Sequence, residues 1–156
     1  MDRPVFAFAA LAALAACGKA PETWVDFATL KPPSLGSDYL LCGPAVCPAG
    51  GEAADTLRFS FPAEHVAAVV AELEPTAVQR QLPNGDYQLK YTLQDPTARF
   101  PDDVDILIHA DNLYTAEVAI YSRTRTTTVD LGKNKARVEK LVEALKAELG
   151  EPLQTD

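Results

Sequence analysis

The segment VDILIHADNLYTAEVAIYSR, which spans Val104 to Arg123, decides the fold. It contains two strand-forming runs, Val104 to Ala110 and Leu113 to Arg123, on either side of Asp111-Asn112. Short polar residues of this kind favour a tight turn between two strands. The segment is therefore predicted to form a β-hairpin within an antiparallel sheet.

A second hairpin is predicted just before the first. The runs Thr76 to Leu82 and Asp86 to Leu93 flank Pro83-Asn84-Gly85, where Asn-Gly tolerates the positive φ angles of a hairpin turn. Polar and apolar residues alternate in the second run, so one face of that strand is apolar: Tyr87, Leu89, Tyr91 and Leu93. Farther upstream, Thr56 to Phe61 shows the same alternation and is predicted to be a strand.

A helix is predicted between these strands. It begins near Pro62, which suits a first-turn position, with Ser60 as its N-terminal cap, and Pro75 ends it. Four apolar residues lie on one face of this helix: Val66, Val69, Val70 and Leu73.

The clearest helix of the chain is predicted at Lys135 to Leu149. Asn134 can cap its start, and Gly150 followed by Pro152 ends it. Its apolar stripe is formed by Val138, Leu141, Val142, Leu145 and Leu149. The predicted class is α+β, with an antiparallel sheet of about four to five strands covered by two helices in the order β-α-β-β-β-β-α.

Length and charge narrow the functional classes. The chain has 156 residues, which fits one domain, and 47% of them are hydrophobic, which is enough for a core. The formal net charge is −8, so nucleic acid is not expected as a partner, because its phosphates would be repelled. The predicted organisation is a signal segment 1–16, a tether with an extended segment 17–55, an α+β domain 56–150 and a tail 151–156.

The first residues predict export and lipidation. An apolar run from Val5 to Ala16 has the length of a signal-peptide core and is too short to span a bilayer. It ends in Leu14-Ala15-Ala16-Cys17, which resembles the lipobox of bacterial lipoproteins. That resemblance implies cleavage before Cys17 and a diacylglycerol, with palmitate-type acyl chains, on its thiol. Gly18 then favours the periplasmic face of the outer membrane. The alternative is an ordinary cleaved signal peptide that happens to end in a cysteine.

The segment after the lipobox carries a docking motif and two further cysteines. Trp24, Phe27 and Leu30 recur every three residues, which predicts a short amphipathic turn that docks on the domain. In an oxidising envelope, Cys42 and Cys47 are expected to form a disulfide. A metal site is not expected, because His65 and His109 are single residues on separate elements, and no cofactor is implied.

Three motifs in the second half resemble a known family. They are Arg99-Phe100-Pro101-Asp102-Asp103-Val104-Asp105, Ile120-Tyr121-Ser122-Arg123-Thr124-Arg125, and Val129-Asp130-Leu131-Gly132-Lys133-Asn134-Lys135-Ala136-Arg137-Val138-Glu139. Together they look like the domain-of-unknown-function family 1499, with a similarity that extends from about Asp26 to Leu149. The resemblance implies a bacterial envelope or plastid setting for many members, and no activity.

The same motifs concentrate basic residues in an acidic chain. Five of the 14 Lys and Arg residues fall within fifteen positions: Arg123, Arg125, Lys133, Lys135 and Arg137. One interpretation is an anion site in which Arg123, Arg125, Lys133, Asn134 and Arg137 hold a phosphate or carboxylate at the start of the last helix. The other is a structural network whose counter-charges come from Asp102, Asp103, Asp105 or Glu117. Asp130 and Gly132 are expected to serve structure, Asp130 by accepting backbone N–H groups and Gly132 by adopting a positive φ.

The chain shows no catalytic signature, since it has no G-x-S-x-G, H-E-x-x-H, P-loop or dinucleotide motif. The first hypothesis is a non-catalytic, membrane-anchored lipoprotein that binds an anionic lipid, a glycan fragment or an acidic protein loop. The second is a hydrolase or transferase that uses the carboxylates around Asp102 to Asp105, with Glu117. The third is an assembly factor that docks to an envelope protein complex.

Overall fold

A computed structural model of the chain describes residues 23–31, 36–50, 56–94, 96, 99–125 and 130–154. The predicted signal segment 1–16, Cys17 and the beginning of the tether lie outside these residues. Within the described ranges, no helix combines the length and the apolar character needed to span a membrane.

Six antiparallel strands form one sheet: β1 (Asp38–Leu41), β2 (Leu57–Phe59), β3 (Val78–Gln81), β4 (Tyr87–Leu93), β5 (Asp102–Ala110) and β6 (Ala116–Thr124). The order across the sheet is β1-β6-β5-β4-β3, and β2 also pairs with β6. β1 pairs with the second half of β6 and β2 with its first half. With helices α1 (Ala63–Leu73) and α2 (Lys133–Leu149), the predicted α+β class is confirmed. The sequence did not predict β1.

The main core lies between the sheet and both helices. Alternation along β5 directs Val104, Ile106 and Ile108 towards the helices, where each is at most 1% exposed. Val118 and Ile120 of β6 are fully buried beside them. Each such side chain contributes about 1.5–3 kcal/mol when it leaves water, so this face supplies most of the driving force for folding.

A smaller core covers the opposite face of the sheet. Leu107 of β5 and Ala119 of β6 point there and pack with Phe27, which is 2% exposed in the turn predicted around Trp24, Phe27 and Leu30. Cys42 and Cys47 join the same cluster and are linked by a disulfide. The second face is therefore covered by irregular chain, which the disulfide ties to the end of β1.

The helix caps differ from those predicted. α1 starts after Pro62 without a side-chain cap hydrogen bond, so Ser60 does not cap it. α2 starts at Lys133, two residues before the predicted start, and the carboxylate of Asp130 caps it by accepting the N–H groups of Gly132 (2.9 Å) and Asn134 (2.7 Å). Gly132 has a φ of +84°, as its expected role requires.

Candidate functional site

A polar groove of about 600 Å³ opens on the second face of the sheet. It lies beyond the small core, at the end of that face where β4, β5 and β6 carry charged side chains. Its polar lining includes Thr23, Lys90, Thr92, Asp103, Asp105, Arg123 and Arg125. Register explains this grouping, because Asp105 pairs with Lys90 on one side and Asp103 with Arg123 on the other.

The chain that follows the predicted lipidation site forms one rim of the groove. Lys90 Nζ donates to the Thr23 carbonyl (2.9 Å), and Gln88 Nε2 donates to the Val25 carbonyl (3.1 Å). The cations of Arg80 and Lys90 lie 4.4 and 4.9 Å from the centre of a Trp24 ring. Cation–π contacts of this geometry are attractive, so the tether is held against β3 and β4.

Asp103 is engaged by its neighbours on both carboxylate oxygens. Arg125 donates from Nε to Oδ2 and from Nη2 to Oδ1, both at 2.7 Å, and Thr92 Oγ1 donates to Oδ1 at 2.8 Å. Burial opposes ionisation of Asp103, but the hydrogen bonds from Arg125 and Thr92 outweigh it and lower its pKa. Asp103 is therefore an ionised group that fixes the guanidinium of Arg125.

Asp105 lies deeper and behaves in the opposite way. It is 4% exposed, and burial raises its pKa from the ordinary 3.8 to about 6, although Arg123, Lys90 and a hydrogen bond from the Val25 backbone oppose the rise. Two carboxyl groups on one face of β5 thus ionise at different pH. The floor of the groove gains or loses a negative charge near pH 6.

The groove carries a positive excess in a chain of negative net charge. Three cations, Lys90, Arg123 and Arg125, face the carboxyl groups of Asp103 and Asp105. When Asp105 is protonated, only Asp103 carries a negative charge. Of the two arginines, Arg123 keeps the looser ion pair, because its Nε lies 3.8 Å from Asp103 Oδ2, whereas Arg125 Nε lies 2.7 Å from the same oxygen. The Arg123 side chain is 41% exposed. Arg123 is consequently the cation best placed to meet an anion.

The basic residues predicted to act together are separated by the sheet. Ser122 and Arg123 point to opposite faces of β6, as do Asp102 and Asp103 on β5. On the helix side, Arg137 ion-pairs with Asp102 and donates to Asn134 Oδ1 (2.6 Å) and Ser122 Oγ (2.9 Å).

Asn134 completes this network. It is 1% exposed, accepts from Ser122 Oγ (2.7 Å) and donates to the Ser37 carbonyl (2.9 Å). Its side chain is thus committed to the sheet and is not the cap of α2. Arg137 and Asn134 match the structural-network interpretation, whereas Lys133 lies exposed at the start of α2.

One pair was missed at the sequence level. His109 Nδ1 lies 3.0 Å from Asp86 Oδ1, and the same carboxylate accepts from the Ala110 N–H (2.9 Å). The β4–β5 pairing places Asp86 beside His109, a contact that the sequence did not predict. Glu117, the cross-strand neighbour of His109 on β6, is 4% exposed, and burial raises its pKa.

Among the described residues no group of three or more His, Cys, Asp or Glu side chains could hold a metal ion.

Residues 14–145 match a family model described as a protein of unknown function, DUF1499. This chain belongs to the DUF1499 family. A search of curated proteins found no match for it. A START superfamily protein from Mycobacterium smegmatis has a similar solved structure, with a TM-score of 0.39 and 10% identity over 73% of this chain and 97% of that one.

The network around Asn134 yields a stability prediction for this DUF1499 chain. Asn134→Ala is expected to lower the free energy of unfolding by about 2–3 kcal/mol, because Ser122 and Arg137 lose a buried partner. Lys133→Ala, one residue earlier and exposed, is expected to change it by less than about 0.5 kcal/mol. Urea denaturation near pH 7 measures both, and equal effects would show that the network is not structural.

Asp105 yields a prediction about pH. Between 3.8 and about 6 the folded state keeps a proton that the unfolded state has released. The contribution of Asp105 to stability is therefore present at low pH and lost as pH rises through about 6. Asp105→Asn replaces the ionisable carboxyl group with a neutral amide, whose oxygen still accepts the hydrogen bond from the Val25 N–H. The variant is therefore expected to raise the free energy of unfolding by about 3 kcal/mol above pH 6. Near pH 4 it is expected to have little effect.

Asp103→Asn is the matched control, because the pKa of Asp103 is lowered and its charge is paired. It is expected to destabilise the protein by about 1 kcal/mol at neutral pH. Chemical denaturation at several pH values compares the two variants. A destabilising effect of Asp105→Asn at neutral pH would contradict the assignment.

Proposed function

We propose that this DUF1499 chain is a bacterial envelope lipoprotein, anchored through acyl chains on Cys17, whose α+β domain binds an anionic ligand without catalysing a reaction. The ligand occupies the groove bounded by the tether, β4, β5 and β6. Arg123 and Lys90 contact its anionic group, and Arg125 is held beside them by Asp103. The predicted location is the periplasmic face of the outer membrane.

The observation that carries this proposal is the positive excess of the groove. An acidic chain that gathers three cations around two carboxyl groups, one of them readily neutralised, leaves a local charge that a bound anion would balance. Arg123 supports the assignment because its guanidinium is accessible and incompletely paired. The start of α2 is a weaker candidate, since the side chains of Asn134 and Arg137 are engaged within the domain.

One observation favours a hydrolase as a second candidate. Asp103 and Asp105 lie in the same groove, with one pKa lowered and the other raised, which resembles the division between a general base and a general acid. However, both oxygens of Asp103 already accept hydrogen bonds from Arg125, so Asp103 is poorly placed to take a proton from water. If the chain is a hydrolase, Asp105→Asn abolishes turnover of chromogenic glycosides or phosphoesters without weakening anion binding.

The anchor is tested by Cys17→Ser. In a Gram-negative host, the wild-type protein is expected in the membrane fraction with the intact mass of residues 17–156 plus acyl chains, and Cys17→Ser is expected to lose that mass increment. A variant with Cys42→Ser and Cys47→Ser should keep it, because those thiols are linked to each other in the folded protein. Acylation that persists in Cys17→Ser would refute the anchor.

Anion binding is tested by NMR titration with inorganic phosphate at about pH 7.5. Arg123→Gln is expected to weaken binding by about tenfold, because a charged hydrogen bond is lost. Asp105→Asn should strengthen it by removing a negative charge from the groove floor. Lys135→Gln removes a charge from α2, where Lys135 pairs with Glu139, and should leave binding unchanged. Equal affinities for Arg123→Gln and Lys135→Gln would exclude the groove as the site.

A further inference from the structure

We infer that the groove docks onto the anionic membrane surface itself, and that the anion it binds is the phosphate of a phospholipid headgroup beside the lipid anchor. This inference rests on the proposed function and names the ligand class for the same groove. The contact surface, called here the membrane-facing patch, consists of Trp24, Val78, Arg80, Lys90 and Arg123.

Covalent reach places the groove close to the bilayer. Thr23 follows Cys17 by six positions in the sequence, and a chain of that length spans about 20 Å at most. Thr23 lines the groove, and its carbonyl accepts a hydrogen bond from Lys90. A lipid on Cys17 therefore keeps the groove within reach of headgroups, whichever way the domain rotates about its tether.

The chemistry of the patch fits a bilayer interface. Trp24 contacts the cations of both Arg80 and Lys90, and Trp beside Lys and Arg is the composition found where protein meets headgroups. Arg80 is further fixed by Gln88, whose Oε1 accepts from Arg80 Nε at 2.8 Å. β3, which carries Val78 and Arg80, is exposed along its length at the edge of the sheet. These side chains are held in place before any lipid arrives.

The exposed face of α2 is the rival basic surface, with Lys133, Lys135 and Lys140. Acidic partners interrupt it, since Lys135 pairs with Glu139 and Lys146 with Glu143. It also lies on the opposite side of the sheet from the tether. One charge is therefore removed from the membrane-facing patch in one variant and from α2 in another. Specific docking is weakened only by the first change, whereas general attraction to anionic lipid is weakened equally by both.

Trp24 is the single tryptophan of the chain and reports on the patch directly. The lipidated protein is reconstituted into brominated phosphatidylcholine vesicles, with and without phosphatidylglycerol. Docking is expected to shift Trp24 emission to the blue and to quench it when phosphatidylglycerol is present. Arg123→Gln should weaken docking by about fivefold, whereas Lys135→Gln should not change it.

A parallel NMR titration with glycerol 3-phosphate separates this inference from the proposed function. If glycerol 3-phosphate binds at Arg123 while Trp24 is indifferent to phosphatidylglycerol, the groove binds a soluble phosphate ligand and the membrane inference is overturned. If neither probe engages the groove, both proposals fail. Quenching that is equal with and without phosphatidylglycerol, or equal in the two variants, also overturns the inference.

Discussion

The structure depends on the fact that the middle parts of β5 and β6 carry apolar side chains on both faces, while both helices pack on one face only. Val104, Ile106 and Ile108 are buried beneath α1 and α2, and Leu107 and Ala119 must be covered from the other side. Irregular chain provides this second cover. Phe27 inserts from the tether, and the Cys42–Cys47 disulfide holds the neighbouring loop. Because the disulfide closes a short loop, it stabilises the folded state by only about 2 kcal/mol through the entropy of the unfolded chain. Burial of apolar side chains therefore accounts for most of the packing of the irregular chain on this face.

The irregular chain covers only part of the second face of the sheet, and the groove lies next to the covered part. The tether reaches Lys90 through the Thr23 carbonyl and Asp105 through the Val25 N–H, but it leaves Arg123 accessible. The buried charge of Asp105 costs stability at neutral pH, and the structure offsets only part of that cost through Lys90 and Arg123. Natural proteins commonly carry such costs at functional sites, and a bound anion adjacent to Arg123 is the function that we propose for this one.

Local patterns predicted the hairpins, both helices and the α+β class, because alternation and helical spacing are properties of neighbouring residues. β1 was missed because Asp38 to Leu41 shows no alternation and becomes a strand only through pairing with β6. The candidate site was harder to predict. Sequence proximity grouped Arg123 with Arg137, but a strand places successive side chains on opposite faces, so the sheet separates them. Asp86 lies just before β4 and His109 lies on β5. The register of β4 against β5 brings the two side chains together, and the sequence of either strand alone does not reveal that register.

Native mass spectrometry of the lipidated protein, purified in detergent from its own membrane, shows whether the groove holds an anion at Arg123. A bound phosphate-containing species, beyond the covalent acyl chains, is expected in the wild type and in Lys135→Gln, and it is expected to be lost in Arg123→Gln. A wild-type mass that contains only the acylated chain, or a bound species that persists in Arg123→Gln, would contradict it.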